Sequence, residues 1–235
     1  MMARTSVIMP VRNGIRFIED ALHSVLQQLA PDDEIIVVDD ASTDGTRSVV
    51  ARIPDARVRI LDGVGRGVSS ARNIGLAAVV GEFIAFLDHD DLWPAQRHRT
   101  MMQAMLDDPQ LDAVFGRIRI QLDSGGIRWP WLLHQDGQHA PGSNLGNALY
   151  RGKILRRIDG FDESLHFGED LDYFNRLQEM GIRFGLCDVD GMIHRRHIAN
   201  VTNDQRAMKN MVFNLIRRRM ACPGRLKSRA HGERS

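Results

Sequence analysis

From Ser6 to Leu87 the chain alternates short apolar runs, rich in β-branched residues, with stretches of helical spacing. Few folds accept that alternation. Ser6–Val11, Glu34–Asp39, Arg57–Leu61 and Phe83–Leu87 read as strands. Between them Arg16–Gln28, Thr46–Arg52 and Val68–Val80 read as helices, the first with Ile18, Leu22, Val25, Leu26 and Leu29 on one face. Strands that are apolar along their whole length are buried on both faces, and the helices between them supply the crossovers. The expected class is therefore α/β: a Rossmann-like, mostly parallel sheet with helices on both faces.

The later half is less regular and is expected to be mixed. Pro94 suits the first turn of a helix running to Leu106, ahead of Asp108-Pro109. Leu111–Leu122 alternates like a long strand. A helix over Asp170–Met180, a strand pair around Arg183–His194 and a closing helix over Asp204–Met220 follow. Asp123–Asn147 is rich in Gly, His, Trp and Pro with little periodicity, and so long an irregular segment is more often a functional loop than a linker. At 235 residues the chain suits one domain, residues 1–222, followed by a polar tail over 223–235.

A formal net charge of +1 argues against a protein dominated by nucleic-acid binding. Cys187 and Cys222 have no metal-ligand spacing and suit a reducing compartment. No stretch approaches the ~20 apolar residues needed to span a bilayer. No leader precedes the first strand, so the expected location is cytosolic. Met208, Met211, Val212, Leu215, Ile216 and Met220 follow helical spacing, with Lys209, Arg217, Arg218 and Arg219 off that face. Such a helix either packs on the body or lies as a peripheral contact on anionic lipid at the inner membrane face.

Two strands end in acid, giving Asp39-Asp40-Ala41-Ser42-Thr43-Asp44-Gly45 and Asp88-His89-Asp90-Asp91. In an open parallel sheet, ligands bind beyond the carboxyl ends of the strands, where both clusters fall. Packed carboxylates repel one another and call for a cation. Oxygen ligands favour Mg2+ or Mn2+, and such ions usually bridge to substrate phosphates, which points to a nucleoside diphosphate. A lone Asp-x-Asp is more often a turn, and Asp44 can simply cap the helix after it. Two clusters on successive parallel strands favour a site.

Glu169-Asp170 opens a helical pattern and is either an N-cap or a general base aimed into the cleft. Arg66, Arg72 and Asn73 begin a helix near that cleft; Asn73 can bond only to backbone, while Arg72 has the reach for a phosphate or base. Gly63-x-Gly65-x-Gly67 misses the dinucleotide fingerprint and reads as a flexible turn. His194 and His197 end a strand, where they meet diphosphate or metal, or merely form a basic strand end. Trp129, Trp131, His134 and His139 either stack on an acceptor or anchor the irregular segment.

Taken in order, Val7–Asn13, Val37–Thr46, Ser70–Gly75, Phe86–Asp91, Gly160–Glu163, Gly168–Asp172 and Arg195-Arg196-His197 resemble the family 2 glycosyltransferases. The likeness runs from about Ser6 to Asn203. It implies a GT-A fold with a donor half over 6–110 and an acceptor half over 111–222. It also implies a nucleoside-diphosphate-sugar donor, a divalent cation, inversion at the anomeric carbon, and work of the kind that builds cell-surface polysaccharide. By position, Pro10, Val11 and Asn13 fall in the nucleotide pocket, Asp40 contacts the base and Asp39 lies beside it. Arg72 matches a residue that helps hold the nucleotide, and Asp88 one near the ribose and ion. Asp90, with Asp91 and His197, takes the metal positions; Asp170 takes that of the catalytic base, with Glu169 its neighbour at the acceptor. The acceptor is left open between carbohydrate, lipid-linked and protein hydroxyls. The Gln-x-x-Arg-Trp pattern of processive synthases is missing, so transfer of a single sugar is expected. A non-catalytic nucleotide-sugar-binding protein is the alternative, against which an intact Asp90 and Asp170 argue.

Overall fold

The computed structural model describes residues 4–123, 137–140, 144–165, 167–198, 200 and 203. Its first half follows the sequence pattern: β1 (Thr5–Val11), α1 (Ile18–Leu26), β2 (Glu34–Asp39), α2 (Thr46–Ala51), β3 (Val58–Asp62), α3 (Val68–Ala78) and β4 (Phe83–Phe86). β3, β2, β1 and β4 lie side by side and parallel. Period-2 alternation sends Val7, Met9 and Val11 of β1 into one core with Ile18, Leu22 and Val25 of α1. Ile8 faces the other way, into a second core with Phe86. Ile36 and Val38 of β2 meet Ala71 of α3 on that side. Both faces are thus covered, which is why these strands are apolar throughout.

The second half completes the sheet differently. α4 (Arg97–Asp107), β5 (Ala113–Leu122), β6 (His139–Ala140), a 3-10 turn over Leu145–Asn147, β7 (Ala148–Arg151), α5 (Gly152–Leu155), α6 (Glu169–Glu179) and β8 (Phe184–Arg196) follow in order. The sheet reads β3-β2-β1-β4-β7-β5-β6, with β8 also paired to β5. β7 runs antiparallel to β4 and β5, and β6 antiparallel to β5, while β8 is parallel to β5.

Three expectations are corrected. α4 starts at Arg97, later than Pro94, because Gln96 adopts a left-handed φ of 65° that a helix cannot include. The strand pair around Arg183–His194 is one continuous strand, β8. Its Asp188–Gly191 stretch looks like a turn but stays extended, because Gly191 packs against Gly116 and Asn147. β7 directly follows the irregular Asp123–Asn147 segment, where no strand is expected from sequence. The closing helix over Asp204–Met220, the tail over 223–235, and Trp129, Trp131 and His134 lie outside the described residues. Among the described residues no helix is long and apolar enough to cross a membrane.

Arg97 fastens these parts together. Fully buried, it donates to the carbonyls of Gly191 (2.8 Å) and Ala148 (2.6 Å) and stacks over Trp93. Burial lowers its pKa to about 9, so α4, β7 and β8 are joined at some electrostatic cost.

Candidate functional site

The carboxyl ends of β1 and β2 are in register, Val11 beside Asp39, and the Asp40 amide donates to the Val11 carbonyl at 2.8 Å. Pro10 and Val11 are buried strand residues at this edge. Asp39 accepts from the Ser42 amide at 3.0 Å. Asp40 is buried and accepts from the amides of Gly65 and Gly67, both at 2.7 Å, so its carboxylate holds the glycine turn after β3. Both glycines have positive φ, which lets their amides converge. Asn13, itself left-handed at φ 52°, accepts from the Thr43 amide at 2.8 Å and ties the loop after β1 to the one after β2. Asp44 accepts from the amides of Ile15 and Thr46, both at 3.0 Å, which is the capping role the sequence allowed.

The four-residue turn after β4 divides its acids. Asp88 is 38% exposed and accepts from Arg72 Nη2 at 2.8 Å. Asp90 Oδ2 meets His197 Nε2 at 3.0 Å and Asn200 Nδ2 at 3.3 Å. Burial alone would raise the Asp90 pKa, but the His197 hydrogen bond and the neighbouring imidazoles hold it at about 2. Asp91 points inward: His194 Nδ1 lies 3.0 and 3.2 Å from its two oxygens, and the Arg195 amide donates to Oδ1 at 3.0 Å. Burial pushes the Asp91 carboxyl up. Burial would lower His194, yet Asp91 outweighs it and holds the imidazole above its usual value. Asp91 is thus the peg that fixes the turn to β8.

His197 is buried with its ring stacked on Phe17 at 4.4 Å. Arg195 Nε donates to the Asp90 carbonyl, and its guanidinium also covers Phe17. The sequence did not single out Phe17 or Asn200, since these contacts span from one end of the chain to the other. His139 goes elsewhere, to Asp190 at 2.7 Å on β8.

On the opposite flank α6 begins after Gly168, whose φ of 75° turns the chain into the helix. Arg72, only 5% exposed, donates from Nη1 to Glu169 at 2.7 Å and lies over the Phe161 ring. Burial would weaken its hold on the proton; Asp88, Glu169 and Asp170 more than offset that. Burial in turn pushes the Glu169 carboxyl up, against the pull of Arg72. Asp170 stands next to it in the same first turn and accepts from the Leu171 amide at 2.8 Å. Asn73 brackets Phe161, giving to its carbonyl at 2.9 Å and taking from its amide at 2.6 Å, so the backbone role is the one it performs. An open cavity of about 670 Å3 adjoins the glycine turn, lined by Arg12, Gly65, Arg66, Gly67, Glu163 and Ser164. Arg12, directly after β1, lies in the Val7–Asn13 motif but was given no role of its own from sequence.

Among the described residues no three His, Cys, Asp or Glu side chains converge into a ready-made metal site. Mg2+ and Mn2+ commonly rest on one or two carboxylates plus substrate phosphates. Asp90, ionised and partly exposed, offers that kind of donor.

Comparison with known proteins agrees with this arrangement. The profile described as Glycosyl transferase family 2 matches residues 6–162. The Escherichia coli UDP-Glc:alpha-D-GlcNAc-diphosphoundecaprenol beta-1,3-glucosyltransferase WfgD is 36% identical over 116 residues, 49% of this chain and 46% of its own. Chondroitin synthase of Pasteurella multocida is 27% identical over 183 residues, 75% of this chain and 19% of its own. The chain spans about half the length, or less, of such curated relatives. Among solved structures, the mannosyltransferase PcManGT of Pyrobaculum calidifontis, in complex with GDP-Man and Mn2+, superposes with a TM-score of 0.67 at 23% identity, covering 92% of this chain and 65% of its own. S. aureus TarS in complex with UDP-GlcNAc gives 0.66 at 20% identity, covering 91% and 66%. These structural likenesses show the fold, GT-A, and that alone.

Proposed function

The chain belongs to glycosyl transferase family 2, and from that premise we propose that it transfers one sugar from a nucleoside-diphosphate sugar to an acceptor hydroxyl, with inversion. The observation that carries this reading is the convergence at one sheet edge of acids from distant parts of the chain. Asp40 follows β2, Asp88 and Asp90 lie in the turn after β4, and Glu169-Asp170 begins a helix; Arg72 joins Asp88 to Glu169, and His197 holds Asp90. The donor rests against Pro10, Val11, Asn13, Asp39, Asp40 and Asp88 in the half formed by residues 6–110, with Arg72 beneath it. The relative named for a diphosphoundecaprenol-linked substrate makes a lipid-linked saccharide the first acceptor to try, at the half formed by residues 111–222.

Asp170 takes the proton from the acceptor hydroxyl as that oxygen bonds to the anomeric carbon from the face opposite the departing diphosphate. It serves late, once bond formation has acidified the hydroxyl. Asp90 would hold a divalent ion, with Asp88 and His197 beside it, and bound there the ion supplies positive charge to the leaving diphosphate. His197 and Asn200 orient Asp90, and Glu169 fixes the acceptor side of the first turn of α6.

The test joins binding to turnover. One of UDP, GDP, dTDP or CDP, with Mn2+, should raise the Tm of the wild type. The corresponding nucleotide sugar should then release nucleoside diphosphate slowly to water and faster with acceptor. Asp170→Asn should lose about 100-fold or more of that turnover while keeping the thermal shift. Near-normal turnover by this variant would take Asp170 out of the role.

A further inference from the structure

Arg72 matches a residue expected to help hold the nucleotide, yet its guanidinium is already spoken for. Nη2 is on Asp88 of the turn after β4, and Nη1 is on Glu169 of the first turn of α6. The group is buried between them, over the face of Phe161. A planar fork can hold two carboxylates on two separate nitrogens in fixed directions, which a lysine ammonium does poorly. The backbone beneath is equally fixed: Ala71 is in the core, and Asn73 is bonded to both the amide and carbonyl of Phe161.

We infer that Arg72 is a positioning residue that couples donor loading at Asp88 to the first turn of α6, where Glu169 and Asp170 stand. The inference rests on the donor reading above and adds a linkage to it. Asp88 is the exposed end of the bridge and Glu169 the buried end. When a donor ribose or its cation engages Asp88, the positive charge of Arg72 is shared with one competitor fewer. Glu169 and its neighbour Asp170 then hold the guanidinium more tightly, and the first turn of α6 becomes more rigid. By reciprocity, ordering that turn favours donor binding by the same factor. The base thereby becomes set only when a donor is in place, which limits misdirected chemistry.

Amide hydrogen exchange of residues 168–173 reads this directly, with and without whichever of UDP, GDP, dTDP or CDP, plus Mn2+, raises the Tm. In the wild type, ligand should slow exchange in that turn by about fivefold or more, the lower end of ordinary coupling between sites. With ligand raised until it saturates the variant, Arg72→Met should lose the slowing at α6. A merely structural Arg72 would instead raise exchange equally in both states and leave the ligand effect intact, and that result overturns the proposal. So does a wild-type α6 that ignores a bound nucleotide. If Arg72→Met does not fold, Glu169→Gln cuts the same bridge at its other end and should abolish the same slowing. Absence of any Tm shift in the wild type would reject the donor reading itself, and this linkage with it.

Discussion

Adjacent carboxylates at the end of β4 carry different duties because different neighbours reach them. Asp90 is ionised and partly open, and Asp91 is closed in by His194 and the Arg195 amide. Asp90→Asn should remove the Mn2+-dependent part of nucleotide stabilisation, and should lower the unliganded urea midpoint as well, because it breaks the bond that holds the Asp90 pKa down. Asp91→Asn breaks a buried charge pair and should cost about 3 kcal/mol, seen as a lower urea midpoint without ligand. Equal behaviour of the two variants would refute this division. The Asp-His-Asp-Asp run stood out in the sequence because acids at a parallel strand end have few other reasons to cluster. Which acid is closed in and which stays partly open was not legible, since that depends on where His194 and His197 return from β8.

Strand β8 delivers those histidines, so its geometry at the element scale decides theirs. It pairs with β5 through register shifts between Phe115 and Arg117 and between Arg117 and Ile118. Gly116 and Gly191 make the passage possible: a Cβ on Gly191 would lie 2.5 Å from the Asn147 carbonyl oxygen, and one on Gly116 would lie 2.6 Å from the Gly191 amide. Backbone atoms cannot yield as a flexible side chain can. Gly191→Ala should destabilise by about 1–3 kcal/mol, lowering the urea midpoint with an unchanged m-value. It should also weaken Mn2+-dependent nucleotide binding, because Ile193–His197 would shift with the strand. Sequence reading expected a strand pair here, as Asp188-Val189-Asp190-Gly191 has turn chemistry. Tertiary contact overrode it. Strands β1 to β4 were readable because each is a mostly apolar run set between helical stretches; β7 and the path of β8 depend on pairing with β4 and β5.

Across the whole molecule, carboxylates occupy the two ends of the sheet for opposite reasons. The carboxyl end gathers the acids of the proposed donor site. At the amino end, Asp33 accepts from the amides of Thr5 (2.7 Å) and Ala30 (2.8 Å) with His98 nearby, and Glu34 accepts from Ser6 Oγ (2.7 Å) and Arg59 (2.6 Å). Burial would raise both pKa values, but these bonds outweigh it and hold each below its ordinary value of 3.8 or 4.5. A carboxyl whose folded pKa lies below its unfolded one stabilises the fold fully above the unfolded value, and the contribution disappears as pH falls through the folded value. The window of loss therefore opens near pH 4.5 for Glu34 and 3.8 for Asp33 and extends downward. Urea midpoints should be flat from pH 7 to pH 5 as far as these groups are concerned, then fall steeply on further acidification. Asp33→Asn should start from a lower midpoint at pH 7 and show a shallower acid limb, because the variant has no proton to take up there. If its acid limb were as steep as that of the wild type, the acid lability would belong to the other end of the sheet. Saturating nucleotide and Mn2+ would then shift it, whereas stabilisation from Asp33 and Glu34 lies away from the cleft and should be indifferent to both.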